Sequence, residues 1–397
     1  MKSWKRTLYI MFYAQIVTAI GFSSVFPFLP LYVAHLGTRT HMSVELLAGL
    51  VFSAQAFTMM LASPFWGALA DRWGRKIMVN RAMFGGALLV LLMGYVQSAE
   101  QLVLLRAIQG LVTGVIGAAN ALVAAAAPRE RTGFAMGLLQ VGMNIGLALG
   151  PVIGGLVAEL VGYRATFFVT SFLLLTAGVL VLFGVKENFN PLRPADHGRA
   201  GFFAAWQRVL AGSEVRITYG IRFVSQLGRM MLIPVLPLFI QLLAADTTRL
   251  NIFTGFVVGA GSAAMTGGAL ALGRLGDRIG HRRIVIASTL AASVFYWLQS
   301  LVTTGWQLLM FHAMAGIALG GIVPSISALL VIQTQEGSEG SVFGLDHAVN
   351  AGARAAAPLM GAGVALWLGL RATFAAAGLL FLFAGVSAMW SLPRRSL

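Results

Sequence analysis

Long apolar stretches recur along the whole chain and are separated by shorter polar segments. Six lie at about residues 7–33, 45–68, 77–97, 102–125, 134–158 and 165–185, and six more at about 216–242, 251–272, 284–303, 307–331, 342–367 and 372–392. A helix crosses the hydrocarbon core of a bilayer with about 20 apolar residues, whereas barrel strands are about 10 residues long and alternate in polarity. The pattern therefore predicts an all-α integral membrane protein with 12 transmembrane helices, numbered here as spans 1 to 12.

The longest polar segment, at about 186–215, contains Pro191 and Pro194 and divides the 12 spans into two sets of six. We therefore expect an N-terminal six-helix bundle over 1–185, a cytoplasmic linker over 186–215 and a C-terminal six-helix bundle over 216–397.

Composition excludes a water-soluble globular protein. Of the 397 residues, 58% are hydrophobic and only 10% are charged, with a mean hydropathy of +0.82, while an ordinary soluble domain has about 25% charged residues. The chain has no cysteine, which excludes disulfides, thiolate nucleophiles and cysteine metal clusters. Its six histidines are scattered without ligand spacing, so the sequence predicts neither a metal nor a cofactor.

The net charge of +15, from 28 basic and 13 acidic residues, would suggest nucleic acid in a soluble protein. Here the basic residues follow the topology of the spans. With the N-terminus inside, 20 of the 28 lie at cytoplasmic ends and loops, and only Arg39, Arg164, Arg249 and Arg371 lie in outer loops. Because Lys and Arg are enriched on the cytoplasmic side of membrane proteins, we expect both termini to be cytoplasmic and expect no nucleic-acid partner.

The two halves of the chain repeat each other. Pro27–Leu31 recurs as Pro234–Leu238 after 207 residues, Gly67–Gly74 as Gly273–Gly280 after 206, and Arg164–Phe167 unchanged as Arg371–Phe374 after 207. Since each half has six spans, equivalent helices point the same way. This is a parallel repeat, which transporters use to place a site between two rocking halves.

With these motifs the chain resembles the major facilitator superfamily over essentially its whole length. Gly67–Lys76 is similar to the superfamily's loop motif between spans 2 and 3, Leu105–Gly110 to its span 4 motif, and Gly146–Gly155 to the span 5 motif of antiporters. Gly21 with Pro27 and Pro30 resembles the span 1 signature of 12-helix drug:proton antiporters. The resemblance implies two pseudo-symmetric six-helix bundles, transport by alternating access, a monomer, and a place in the bacterial inner membrane.

The resemblance also implies that the loop motif is a latch favouring the outward-facing state. The residues concerned are Gly67, Asp71, Arg72, Gly74, Arg75 and Lys76, with Asp277 and Arg278 in the second half. A lone acid beside three bases is placed for ion pairing. The alternative is that the basic residues only set the topology.

Span 5 carries small residues at a spacing of four. Gly146, Gly150 and Gly154, with Gly155 beside them, present a flat strip to a neighbouring helix, and Pro151 removes one backbone hydrogen bond. We expect a bent, closely packed seam that serves as a hinge. Ordinary close packing would use the same residues.

Four arginines lie within the spans, where each costs about 2.5–3.5 kcal/mol even on the lenient insertion scale. Helical spacing groups them with other polar residues. The groups are Arg106 with Gln109, Arg222 with Gln226 and Arg229, His347 with Asn350 and Arg354, and Gln140 with Asn144. We expect these stripes to line a water-filled substrate path.

Asp346 is the single carboxylate well inside a span. One hypothesis is that Asp346, with His347, couples proton entry to substrate exit, because burial raises and a nearby arginine lowers the pKa of a carboxyl group. The alternative is that Asp346 only pairs with Arg222, which should lie at a similar depth. Both interpretations stay open from sequence.

Four embedded cations against one anion favour a substrate with an anionic or phosphate-like group, held by Arg106, Arg229 and Arg354. The alternative is that these arginines bind backbone carbonyls and stabilise packing.

We expect proton-coupled efflux of amphipathic drugs or metabolites, with a small molecule, protons and the bilayer as partners. Uptake of a metabolite or lipid movement is the second interpretation. An intramembrane enzyme finds little support, because the chain has no phosphate loop, HExxH or serine elbow.

Overall fold

The computed structural model describes residues 3–40, 42–113, 119–120, 122–123, 126, 128, 131–187, 210, 212–243, 249–333 and 339–392. Within these ranges the chain is helical and has no strand. In the first half the helices are α1 (Ser3–Val25), α2 (Leu29–Leu36), α3 (Val44–Trp73), α4 (Arg75–Met93), α5 (Ala99–Val112), α6 (Thr132–Val161) and α7 (Tyr163–Gly184). In the second half they are α8 (Ser213–Met230), α9 (Leu236–Leu243), α10 (Leu250–Ile279), α11 (His281–Leu301), α12 (Gly305–Gln333), α13 (Glu339–Leu368) and α14 (Leu370–Ser391).

These helices follow the order of the predicted spans. Ten stretches of the described residues are long and apolar enough to cross a membrane, with α1 and α2 together making one of them. Spans 4 and 7 are represented by α5 and by α8 with α9. Residues 114–118 of span 4 lie outside the described residues, and α8 carries three arginines, which lowers its hydropathy.

The structure adds one detail to the predicted spans, because a break divides the helix of span 1 and that of span 7. A 3₁₀ turn at Phe26–Phe28 separates α1 from α2, and a turn at 231–235 separates α8 from α9. Each break lies at a proline pair of the repeat, Pro27 with Pro30 and Pro234 with Pro237. Proline lacks the N–H that continues a helix and its ring clashes with the preceding turn.

The chain divides into two compact units. The first comprises Met1–Arg193 with Asp246–Gly259, and the second comprises Pro194–Ala245 with Ala260–Leu397. Helix α10 therefore begins in the first unit and continues into the second. Most of the expected linker over 186–215 lies outside the described residues, and the division of the 12 spans into two six-helix bundles stays a prediction.

The repeat is visible in individual contacts within each unit. In the first, Gly154 on α6 lies against the carbonyl oxygen of Ser24, and in the second, Gly361 on α13 lies against that of Met231. A β-carbon at either glycine would meet that oxygen. Both members of the second pair lie 207 residues after their counterparts, so the two units bring equivalent helices together at equivalent glycines.

A second pair of contacts repeats with donor and acceptor exchanged. The Ser171 hydroxyl on α7 donates to the Ala87 carbonyl oxygen on α4 at 2.7 Å. In the second unit, the Ser293 hydroxyl on α11 donates to the Gly378 carbonyl oxygen on α14 at 2.8 Å. A buried hydroxyl needs a hydrogen-bond acceptor. The hydroxyl can lie on either helix of the pair, because the other helix supplies a carbonyl oxygen.

The starts of α3 and α10 are capped differently although they are repeat-related. Ser43 caps α3 through its own side chain, which accepts from the Leu46 amide at 3.3 Å. The equivalent position before α10 is Arg249, which has a positive φ of 69°. An arginine side chain has no acceptor oxygen, and Glu159 of α6 takes this role by accepting from the amides of Arg249 and Asn251 at 3.0 and 3.1 Å.

Candidate substrate and coupling sites

The first unit holds a buried arginine that is bound by neutral amides. Arg106 on α5 is 3% exposed, and its Nη1 donates to the Oε1 atoms of Gln55 and Gln109, both at 2.9 Å. The guanidinium lies over the Phe26 ring, 5.8 Å from its centroid. Among the described residues its Nε has no hydrogen-bond partner. Because an amide carries no net charge, these two hydrogen bonds solvate the positive charge of Arg106 without neutralising it, and no carboxylate pairs with it among the described residues.

Close packing of α5 on α3 brings Gln55 to this arginine. Gly110 lies against the Gln55 carbonyl oxygen and the Thr58 hydroxyl, where a side chain would not fit. The Thr58 hydroxyl also donates to the Ala107 carbonyl oxygen at 2.8 Å. Helical spacing in the sequence groups Gln109 with Arg106 but misses Gln55, whose signal is that it is the single amide side chain of span 2.

Gln140 and Asn144 bond to each other on α6, from Nε2 of the first to Oδ1 of the second at 3.1 Å. Gln140 is exposed and Asn144 is half-buried. Their spacing of one helical turn makes this bond local, as the sequence pattern indicated.

The second unit contains a buried ion pair. Arg222 on α8 contacts Asp346 on α13 through Nε and Oδ1 at 3.1 Å and through Nη2 and Oδ2 at 3.2 Å. Asn350 donates from Nδ2 to Oδ2 of the same carboxylate at 3.0 Å and to its carbonyl oxygen at 2.8 Å. Each member of the pair is 7% exposed. The pairing that sequence left as an alternative is therefore formed.

A small cavity adjoins this pair. It has a volume of about 20 Å³ and is lined by Arg222, Ser225, Gln226 and Arg229 on α8 with three apolar residues of α12. That volume holds about one water molecule. Arg229 donates to the Met265 sulfur at 3.3 Å, while its Nε and the Ser225 hydroxyl have no hydrogen-bond partner among the described residues. The cavity therefore offers unused donors.

His347 and Arg354 differ from the buried pair in their exposure. Both are exposed, whereas Asp346 is buried, because successive residues of a helix point in different directions. The structure therefore gives the proposed coupling acid and its histidine neighbour different environments.

The two centres are not copies of each other. At the repeat positions of Arg222 and Asp346 the first unit has Gln15 and Leu139. At the repeat position of Arg106 the second unit has His312, whose Nδ1 lies 3.1 Å from Oε1 of Gln299. Sequence noted the exchange of Arg106 for His312 but missed Gln299, which is fully buried. The two units therefore have equivalent helices but different buried polar residues at equivalent positions.

The loop motif forms a tight turn between α3 and α4. Gly74 has a φ of 96°, a left-handed conformation that favours glycine. The backbone amides of Arg75 and Lys76 donate to the Glu187 carboxylate at 3.0 and 2.8 Å, and the Lys76 Nζ donates to the Leu182 carbonyl oxygen at 2.7 Å. Glu187 was missed from sequence. Gly67, Asp71 and Arg72 lie in α3 by their backbone, and the side chains of Asp71 and Arg72 lie outside the described residues.

The corresponding turn in the second unit keeps this geometry. Gly280 has a φ of 95°, and Arg282 donates from Nη2 to the Met389 carbonyl oxygen at 2.6 Å, which repeats the contact of Lys76 with Leu182. Asp277 lies 3.3 Å from Nε2 of His281, and Arg278 is exposed.

The glycine strip of α6 lies against α1. A β-carbon at Gly146 would come within 2.7 Å of the Ile16 carbonyl oxygen, and one at Gly150 within 2.8 Å of that of Ile20. The Ser23 hydroxyl donates to the Gly146 carbonyl oxygen at 2.9 Å. The strip therefore allows the two backbones to approach closely, as small residues do between membrane helices.

The far end of the strip meets the start of α10. A β-carbon at Gly155 would lie 2.7 Å from the Asn251 carbonyl oxygen, and Gly255 lies against the carbonyl oxygen of Pro151. Pro151 is inside the uninterrupted helix α6. The hinge and gating roles of these residues stay predictions.

Comparison with known proteins identifies the family. The model of the Major Facilitator Superfamily matches residues 11–217 and again residues 218–396. The chain belongs to the major facilitator superfamily. Two matches at this offset agree with the internal repeat, and membership makes the protein a multi-pass membrane transporter with a small-molecule substrate rather than an enzyme.

Within the superfamily the chain is similar to curated multidrug-resistance proteins of the bacterial inner membrane. It is 37% identical to multidrug resistance protein MdtG of Serratia proteamaculans over 395 residues, which cover 99% of this chain and 95% of that protein. Identity to MdtG of Salmonella typhimurium is 35% over 400 residues, with 100% and 97% covered. Among solved structures, a bacterial homologue of the human lysosomal transporter Spinster has the same fold, with a TM-score of 0.81, 13% identity and coverage of 98% and 97%. The chain is a bacterial inner-membrane protein.

Proposed function

We propose that the protein is a proton-coupled antiporter that exports amphipathic compounds carrying an anionic group. The observation that carries the anionic assignment is Arg106, a buried cation whose two hydrogen-bond acceptors are neutral amides. A buried charge without a counter-ion is costly. A carboxylate or phosphate of a substrate is the group that would offset this cost, with bidentate geometry suited to a guanidinium.

The second unit supports the same substrate class. Its spans contain three arginines and the carboxylate of Asp346, which is already paired with Arg222. This leaves Arg229 and Arg354 as cations with no carboxylate partner among the described ion pairs, and Arg229 lines the small cavity with a free Nε. In this proposal Arg106 is an anion-binding cation of the first unit, and Arg229 and Arg354 are anion-binding cations of the second. Neutral hydrogen bonds come from Gln109, Gln140, Asn144, Gln226 and Asn350.

Asp346 is the group proposed to couple protons to transport. It is the buried carboxylate among the described ion pairs, and its partner Arg222 and neighbour Asn350 hold it at one position. Protonation of Asp346 would neutralise the carboxylate and release Arg222 from its ion pair, so the arrival of a proton would change the charge and the partners available in this unit. Such a change is what couples a proton to the binding of a charged substrate.

Export rather than uptake is supported by the relatives, which are named multidrug resistance proteins. The similarity covers 95% of one relative and 97% of the other. The chain is expected to work as a monomer, with its latch and hinge residues switching access between the two sides.

Transport by purified protein in liposomes tests this function. With an imposed pH gradient, we expect accumulation of amphipathic anions, weaker movement of neutral analogues and none of matched cations. Movement of organic cations alone would overturn the anionic assignment. Movement of anions that ignores the pH gradient would overturn the proton coupling.

A further inference from the structure

A second, larger cavity lies in the first unit, and none of its described lining residues belongs to either arginine centre. It has a volume of about 570 Å³ and lies where α1 and α6 begin. Lys5 and Arg131 supply two cations to its wall, and Trp4, Tyr9 and Phe134 supply aromatic rings. We call it the basic aromatic cavity. None of these five residues takes part in the substrate or coupling sites described above.

The parallel packing of α1 and α6 explains its position. Gly142, Gly146 and Gly154 of α6 lie against successively later residues of α1, from Phe12 to Ser24, so the two helices run in the same direction and their N-termini lie at one end. Neither helix has an acidic residue in its first turn, and the start of α6 has no side-chain cap. Free N–H groups at a helix start add to the positive potential there.

The wall of the cavity has the chemistry of an amphiphile site. Lys5 and Arg131 are exposed, as are the rings of Tyr9 and Phe134 at 53% and 58%, and no carboxylate is among the described lining residues. Cations therefore face an anionic head group, while aromatic rings offer surface for an apolar tail. Small-molecule pockets occupy about 300–1,000 Å³, and aromatic and basic residues together are typical of the membrane interface.

We propose that the basic aromatic cavity binds an anionic amphiphile, with its phosphate or carboxylate head at Lys5 and Arg131 and its apolar tail on the aromatic rings. This site goes beyond the proposed transport function, because binding here needs neither Arg106 nor Asp346. Two kinds of ligand have this chemistry, an anionic phospholipid of the adjoining leaflet and a free amphiphilic anion.

Binding to the full chain in neutral detergent tests the proposal and separates the sources. The probes are dioctanoyl phosphatidylglycerol, decyl phosphate, dioctanoyl phosphatidylcholine and inorganic phosphate, with calorimetry as the readout. We expect the first two to bind and the last two not to bind. Tighter binding of phosphatidylglycerol identifies a lipid site, and tighter binding of decyl phosphate identifies a site for free amphiphiles. Equal binding of phosphatidylcholine would overturn the proposal.

Variants of the lining residues test whether the probes bind in this cavity. Lys5→Gln and Arg131→Gln should each weaken binding of the anionic probes about fivefold, and the double variant about twentyfold. The matched control is the double variant Arg6→Gln with Lys186→Gln, which removes two exposed cations outside the cavity and should leave binding unchanged. The single variants carry the test if the double variant does not fold. An equal loss in the control would overturn the proposal, whatever the outcome of the transport assays.

Discussion

Arg222 and Asp346 join α8 to α13 through two contacts, at 3.1 and 3.2 Å, and both side chains are 7% exposed. Among the described residues, the other embedded arginines of this unit have no carboxylate partner, and the first unit has Gln15 and Leu139 at the equivalent positions. The pair therefore distinguishes the second half from the first.

Removing one member of this pair should destabilise the protein strongly. Asp346→Asn and Arg222→Gln each leave the other group buried without a counter-ion, which costs about 3–5 kcal/mol. The double variant should recover much of that free energy of unfolding. Unfolding in mixed micelles measures the free energy of unfolding of the three variants. If the loss in the double variant equalled the sum of the two single losses, the two residues would not interact.

Shortening the cation at the first centre should weaken substrate binding. Arg106→Lys keeps the charge but loses the planar group that reaches both Gln55 and Gln109, so we expect KM for an anionic substrate to rise about tenfold. Arg164→Lys is the matched control, because Arg164 in the same unit donates to the Val96 carbonyl oxygen. The same rise in KM for both variants would contradict a binding role for Arg106.

Adding one methyl group to α6 should have opposite effects at two glycines. Gly154→Ala places a β-carbon against the Ser24 carbonyl oxygen, whereas Gly137→Ala meets nothing within 4 Å. We expect the first to lower the melting temperature by several degrees. Alanine is the better helix former by about 1 kcal/mol, so the second should be neutral or stabilising. Equal melting temperatures for the two variants would contradict the packing of α6 on α1.

The same comparison applies in the second unit. Gly361→Ala meets the Met231 carbonyl oxygen, while Gly363→Ala on the same helix meets nothing within 4 Å. A lower melting temperature for Gly361→Ala, with that of Gly363→Ala unchanged, would show that equivalent glycines contribute to stability in both units. Equal melting temperatures would contradict this.

Acid should weaken the contact at the start of α5. Hydrogen bonds from the Thr40 backbone amide, from the backbone amide of Glu100 itself and from the Thr40 hydroxyl, in this order of size, lower the pKa of Glu100 from 4.5 to about 2. A carboxyl group whose pKa is lower in the folded state stabilises the protein above its unfolded pKa, and this stabilisation is lost as the pH falls toward the folded pKa. The wild type should therefore be more stable than Glu100→Gln at pH 7, with the difference shrinking below about pH 4.5.

Thermal unfolding of both proteins from pH 7 to pH 2.5 measures this difference. Glu45→Gln, which removes another carboxylate from a first helical turn, is the control. A difference between wild type and Glu100→Gln that stays constant with pH would contradict the role of the carboxylate.

Most of the fold follows from the sequence because it depends on local patterns. Apolar stretches give the helices and their order, and the offset of 206 or 207 residues aligns contacts as specific as those of Lys76 with Leu182 and Arg282 with Met389. The helix breaks at Pro27 and Pro234 were missed because a hydropathy pattern does not register a lost N–H.

The partners of the embedded charges follow much less from the sequence. Helical spacing relates residues three or four apart, such as Arg106 and Gln109. Gln55 lies 51 residues before Arg106, and it is the approach of Gly110 to α3 that brings the two together. The caps that Glu159 and Glu187 give to other helices are missed for the same reason, since tertiary packing decides them.

The most direct test of the account measures proton movement driven by the substrate. Proteoliposomes with an internal pH dye receive a gradient of an amphipathic anion and no pH gradient. An antiporter should move protons against the direction of the anion, and Asp346→Asn should exchange anions without moving protons. Absence of proton movement in the wild type, movement in the same direction as the anion, or full proton movement in Asp346→Asn would contradict the account.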